Sequence, residues 1–472
     1  MRALTIGTFR RAWPQVALLL CVGYMLMGKT LAYVGVSSLY IGEFVLLIGI
    51  ALCIDPKLAN PLFRMPLFWI LVCFIGWGAL RTIPYISGYG LDALRDSVVW
   101  SYSLFAILLS CLLIRYQSLI PLLRFYDRHV VIWTACLLVS MTISILFGDR
   151  VPTFGPGEVA FLLLKYGDTA VHLSGLATFI TLGIGRDLGQ RRSRLTSATF
   201  YLFWWLTALE VAINNRGALL TIILCLVIPP IFGFVRGVAR QGAVGLLAAV
   251  LIATLIPALD FSGRGREFSL SQVVTNAESI VMPVDEADLD NTKVWRQMWW
   301  TQIVDYTVHG PYFWLGKGYG INLATDDGVI TTAGITGPVL RSPHNGHMTF
   351  LARSGVPGMC LWILLNLSFA ASLIHSFFRA RRRGMMLWAH IDLWVLIYWV
   401  GFIVNMSVDV FLEGPQGGIP FWCLFGIGMT ALHTQKRLFA QARPIAIGSH
   451  APAPPYEYAI RGYDHDPINV LR

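Results

Sequence analysis

The sequence predicts an all-α integral membrane protein of about twelve transmembrane helices, with one large periplasmic loop folded as a small helical cap. Three observations carry this. Of the 472 residues 56% are hydrophobic and only 13% charged, against about 25% charged in an ordinary soluble domain. The apolar runs have helical length, near the roughly 20 residues that cross hydrocarbon as a helix, where only a helix or a closed barrel satisfies its own backbone. The lysines and arginines, finally, gather on alternate connections between those runs.

Apolar segments bounded by glycine, proline and charge fall at 13–28, 40–54, 66–80, 97–114, 129–147, 168–185, 196–213, 217–235, 241–258, 347–377, 387–411 and 418–435. The first lacks a small-residue cleavage site and reads as a span rather than a signal peptide. Tyr89 to Ser97 reads as an interfacial turn carrying Arg95 and Asp96. Basic clusters are retained in the cytoplasm. With the N-terminus inside, every tight cluster falls on that side, among them Arg10-Arg11, Arg191-Arg192, Arg381-Arg382-Arg383 and Lys436-Arg437. Both termini are therefore expected in the cytoplasm of a multi-pass protein of the bacterial inner membrane. The net charge of +10 then reports topology and needs no nucleic-acid partner. The eight cysteines lie scattered in apolar runs without paired spacing and read as small buried residues.

Four regions follow: residues 1–258 with nine spans, the loop 259–343, residues 344–437 with three more spans, and the tail 438–472. The tail, with Ala-Pro-Ala-Pro-Pro at 451–455, lacks apolar periodicity and reads as disordered. The loop opens acidic (Glu278, Asp285, Glu286, Asp288, Asp290) and turns aromatic (Trp295, Trp299, Trp300, Tyr306, Tyr312, Phe313, Trp314). So long a connection is usually functional or disordered. Its aromatic half can bury area, which predicts a helix near 291–307.

The candidate chemistry collects at loop ends on the outer side. Arg216, in Asn214-Asn215-Arg216-Gly217, is a guanidinium at membrane depth, where charge costs from about 3 kcal/mol upward. Its fork suits phosphate oxygens, and the competing reading is a snorkelling helix anchor. Arg95 and Arg296, each beside an apolar or aromatic stretch, are the other cations suited to a pyrophosphate. His344 and His347, three apart, read as interfacial histidines or as a general base taking a proton from a sugar hydroxyl. A zinc pair would want further ligands at suggestive spacing, so no metal is expected. Gly316-Lys317-Gly318-Tyr319-Gly320 lacks the context of a phosphate loop and reads as a turn. Lys165, Asp168 and His172 line an acceptor path or pair with one another, and Asp409 and Glu413 present the same choice. Ionisable residues within spans (Glu43, Glu210, His375, His390, Asp392) lie mostly near the ends. A proton-coupled carrier places such groups near the midplane.

The run His344-Asn345, nine residues, Gly355, two residues, Gly358 resembles the histidine motif of the O-antigen ligase and O-antigen polymerase superfamily. Around it the chain is similar to that family in its span count, its late loop and its Arg216-Gly217 pair. The resemblance implies a metal-independent, inverting glycosyltransferase of the membrane GT-C type without cofactor. The donor it implies is a glycan on undecaprenyl pyrophosphate, and the acceptor a sugar hydroxyl on lipid A core or another glycan. Carried over, His344 is the implied base, Arg216 the implied pyrophosphate ligand, and Asn345, His347, Gly217, Gly355 and Gly358 supporting positions. A polysaccharide polymerase of the same superfamily and a non-catalytic glycan transporter are the rival expectations.

Overall fold

The computed structural model describes residues 6–36, 39–154, 159–255, 287–329 and 341–441. The acidic opening of the late loop up to residue 286, and the tail beyond 441, lie outside the described residues.

The chain is a helical bundle. In order come α1 (Ile6–Met27), α2 (Ile41–Leu52), α3 (Pro66–Tyr89), α4 (Leu91–Ser101), α5 (Leu104–Tyr116), α6 (Leu119–Phe147), α7 (Tyr166–Thr181), the short α8 (Ile184–Asp187), α9 (Arg194–Asn214), α10 (Arg216–Ile231) and α11 (Val235–Leu255). Then follow α12 (Ala287–Thr307), the single turn α13 (Leu323–Asp326), α14 (Gly346–Arg382), α15 (Met386–Met406) and α16 (Pro415–Gln441). Two minimal antiparallel hairpins, β1 (Gly35–Val36) with β2 (Leu39–Tyr40) and β3 (Thr153–Phe154) with β4 (Val159–Ala160), stiffen connections between helices.

Each of the twelve apolar segments overlaps a helix. Among the described residues, α3, α6, α9, α14 and α15 are long and apolar enough to cross a membrane, and α4 with α5, bent by 46°, would make a sixth span. The apolar α2 and α10, of 12 and 16 residues, are shorter than the roughly 20 that a straight crossing needs. The stretch Tyr89 to Ser97 is not a turn as expected. The chain reverses at Gly90 and enters α4, whose Asp92 and Arg95, one helical turn apart, pair at 3.0 Å and whose Ala93, Ser97 and Val99 are buried. Its polar residues masked that periodicity. The helix expected near 291–307 is present as α12, starting four residues earlier.

At the centre lie α7, α15 and α16. Residues Gly167–Phe179 of α7 are buried without a break, as is most of α15, so both helices lie inside the bundle. Around them α14 packs on α15 and α3, α16 on α5, α10 on α7, and α6 on α9. Outward-facing positions are also apolar, with Leu47, Ile48, Ile132, Val139, Leu364 and Leu367 exposed. So large an apolar exterior suits hydrocarbon rather than water. Helix association in lipid leans on packing and hydrogen bonds. One such link joins three helices: Gln435 donates to Asp392 at 2.8 Å and accepts from Ser376 at 2.8 Å.

A smaller apolar cluster sits beside one end of the bundle. Trp299 and Ile303 of α12 pack with Leu323 and Ala324 of α13 against Leu351 and Ala352 of α14. This cluster holds α12 over the first turns of α14, where the histidine motif begins.

Candidate active site

The motif opens on a helix start. Asn345 caps α14, its side-chain oxygen accepting from the backbone N–H groups of His347 (2.9 Å) and Met348 (3.2 Å). These donors have no partner within the helix. His344 immediately precedes the cap with φ +52°, a left-handed conformation uncommon for a residue with a Cβ and concentrated at functional positions. Two aromatic residues of α12 hold it there. Trp300 donates to the carbonyl of Pro343 at 2.8 Å, and Trp295 meets the imidazole edge to face at 5.9 Å.

The motif glycines have a mechanical role. At Gly355 the helix breaks, with φ +67° and ψ −173°, and Pro357 two residues on cannot donate to the ladder. The freed groups are taken by the 313–318 loop: Val356 donates to Phe313 O (2.8 Å), while Lys317 and Gly318 donate to Ala352 O (2.7 Å) and Arg353 O (3.0 Å). A Cβ on Gly355 would stand 2.5 Å from Phe313 O, and one on Gly358 would meet the Trp77 indole at 2.9 Å. That indole donates to Ser354 O at 2.9 Å. The Gly316–Gly320 run is thus a turn plugged into a broken helix. Its Lys317 is held by Asp326 and Asp327, each at 2.5 Å. Burial alone would lower the ammonium pKa, but the two carboxylates raise it above the ordinary lysine value.

The connection from α15 to α16, residues 407–414, gathers the other groups. Trp362 donates to His347 Nδ1 at 3.0 Å; an indole can only donate, so the proton sits on Nε2, 3.1 Å from Ser407 Oγ. Ser407 spends its own proton on Ile403 O (2.7 Å) and accepts from His347. Both nitrogens of His347 are therefore committed to structure. The carbonyl of Val408 accepts from Arg296 at 2.9 Å, and a Cβ on Gly217 would come within 3.0 Å of the Val408 side chain. Asp409 bonds Lys165 at 2.8 Å and faces His344 Nδ1 at 3.5 Å. Glu413 accepts from Thr349 on the first turn of α14.

The electrostatics single out Asp409. Burial pushes its carboxyl pKa up, but His344, Lys165 and the N–H of Val410 outweigh burial and hold it well below the usual carboxylate range. It stays ionised beside the imidazole. His344 Nδ1 is buried without a formed hydrogen bond, and 3.5 Å is longer than such a bond; catalytic contacts often tighten only once substrate is bound. An Nδ1–H turned to a carboxylate leaves Nε2 as the proton acceptor.

Arg216 begins α10 behind its cap Asn215, which accepts from Ala218 N–H at 2.9 Å. It makes no ion pair or hydrogen bond among the described residues. Arg296 has its Nε buried and unpartnered. Burial lowers its pKa, Asp409 raises it and the Arg216 charge lowers it again, so the two guanidiniums and the carboxylate share one field. Arg95 is elsewhere, 3.0 Å from Asp92 and 3.7 Å from Asp96. The trio near α7 does not pair internally: Lys165 takes Asp409, Asn405 donates to Asp168 at 3.1 Å, and His172 meets the Tyr398 hydroxyl at 2.7 Å inside the bundle. Among the described residues no group of three or more histidine, cysteine and acidic side chains is placed to hold a metal.

Sequence reading had left Asp409 among residues of open role and had not singled out Ser407. Their position just past a long apolar helix was the available signal. No protein-family model matches the chain, and no curated protein matches it.

Proposed function

We propose that the protein is a glycosyltransferase of the O-antigen ligase type, moving a glycan from undecaprenyl pyrophosphate to a sugar hydroxyl. One observation carries the reading: His344 with Asp409, and the cations Arg216 and Arg296, converge on the single connection 407–414. The acceptor oxygen attacks the anomeric carbon opposite the leaving group, and its proton passes to His344 Nε2. Asp409 stabilises the imidazolium that forms. The bond from the anomeric carbon to the pyrophosphate oxygen breaks, and the guanidiniums of Arg216 and Arg296 take up the charge that develops there. A lipid-borne donor also accounts for a site at the end of apolar helices. On this reading the bundle makes twelve crossings of the bacterial inner membrane, α12 belongs to a cap on the periplasmic side, and the acceptor is lipid A core or a growing glycan.

The test uses purified full-length protein with glycan–pyrophosphate–undecaprenol and an acceptor. His344→Ala lowers transfer about 10²- to 10⁴-fold, the usual worth of a general base, while the melting temperature stays within that of the wild type. Transfer at the wild-type rate in that variant would sink the base assignment. Recovery of the glycan still on its lipid, moved but not transferred, would favour a transporter.

A further inference from the structure

A cation that the sequence reading passed over lies beside this cluster. Lys29 follows α1 on a short 3₁₀ turn, Lys29–Tyr33, and its backbone is fixed on three sides. Its N–H donates to Leu163 O at 3.0 Å, Gly28 bridges to Leu163, and Thr30, fully buried, donates to Ala160 O at 2.7 Å. The loop it is tied to runs on to Lys165, which reaches Asp409 at 2.8 Å. The backbone of Lys29 is therefore anchored two residues from Lys165. Its ammonium is half withdrawn from water, with no carboxylate or carbonyl partner among the described residues. Burial lowers its pKa from the ordinary lysine value, and so does the Lys165 charge, against the opposing fields of Asp168 and Asp409.

We propose that Lys29 is a third cationic ligand for the pyrophosphate that Arg216 and Arg296 hold. The inference rests on the donor reading above. Lys29, Lys165, Arg216 and Arg296 outnumber the two carboxylates, Asp168 and Asp409, whose fields act on Lys29. Two ammonium groups drawn together and partly out of water repel one another, and an anion of more than one charge between them and the guanidiniums removes that cost. A pyrophosphate is such an anion, and a compact ammonium suits it as a point charge where arginine supplies the fork. The rival role is an anchor at lipid headgroups, in which the lysine stem lies along apolar surface and the charge meets the bilayer edge.

Titration calorimetry on the detergent-solubilised full chain, with inorganic pyrophosphate and with undecaprenyl pyrophosphate as probes, decides between them. Lys29→Gln weakens both probes about tenfold or more, the scale of a lost hydrogen bond to a charged group, and Lys29→Arg retains most of the affinity. The salt dependence of binding becomes shallower in Lys29→Gln, and its melting temperature is unchanged. Wild-type affinity in Lys29→Gln, alongside a loss in Arg216→Ala, overturns the role of Lys29 and leaves the donor reading standing. Failure of the wild type to bind either probe overturns both.

Discussion

Two aspartates, Asp96 and Asp409, are treated in opposite ways. Asp96 on α4 is saturated: Arg353 and Arg341 reach it at 3.0 Å each and the N–H of Gly320 at 3.1 Å. Arg353 in turn donates to the carbonyls of Gly318 and Ile321 at 3.3 and 3.2 Å. Each of the two guanidiniums there meets the carboxylate, although Arg341 Nε is buried without a hydrogen bond. Asp409 has one ammonium and a loose imidazole, in the company of Arg216 and Arg296, neither of which has a carboxylate partner among the described residues. A cluster of paired charges fixes geometry; a cluster whose cations lack carboxylates has room for an anion. Both carry arginines, so charge alone does not separate scaffold from site, while the bookkeeping of ion pairs does.

Breaking the paired cluster has the largest expected effect. Asp96→Ala strands the fully buried Arg353, and an uncompensated buried charge costs about 3–5 kcal/mol. Thermal unfolding of the solubilised protein should show the loss, with transfer activity falling only as the folded fraction falls. Asp409→Asn does the reverse. Lys165 is partly exposed and can return to water, so stability changes little. The imidazolium, however, loses its carboxylate, which at about 1.5–3 kcal/mol for a charged hydrogen bond lowers turnover about 10- to 150-fold. Equal losses of stability in the two variants would erase the distinction.

The motif glycine sharpens the comparison, because the helix break at Gly355 lies two residues from Arg353 of the paired cluster. Gly355→Ala forces a Cβ into a positive-φ region open essentially to glycine alone, at about 1–3 kcal/mol, and towards Phe313 O. The loop 313–318 must shift, exposing its amides to faster hydrogen exchange while α15 keeps its protection. This position also shows what the sequence could convey. The spacing from His344 to Gly355 and Gly358 was visible as a resemblance, but its reason, a loop donating into a broken helix, needs partners far along the chain. Apolar runs made the helices legible because lipid leaves the backbone few options. Asp409 and Lys29 were not legible as site residues, since each is an isolated charge beside a span, and only packing of distant connections shows which of these face one another. The aspartates that pair with Arg95, one and three residues away, were hidden for a related reason: they lie on a helix that polar residues disguised.

The smallest expected effect concerns Glu413, whose carboxyl is buried beside Thr349 with one oxygen lacking a partner. Burial is the main cause pushing its pKa from the ordinary glutamate value up to about 7, against the lowering effects of Thr349 and Arg353. The sign follows from proton counts. Between about pH 4.5 and 7 the folded chain binds this proton and the unfolded chain does not, so stability falls as pH rises through that window. Thr349 Oγ1 lies 3.1 Å from Asn345 O and bonds Glu413 as well. It has one proton, so if it donates to Asn345, a protonated Glu413 must donate to it. Glu413→Gln keeps a donor there and removes the titration. Its melting temperature should then vary less between pH 5 and 8 than that of the wild type, with the largest gain at pH 8. An unaltered slope would show that Glu413 is ionised throughout and that Thr349 donates to it, leaving the Asn345 cap to hold His344 without this support.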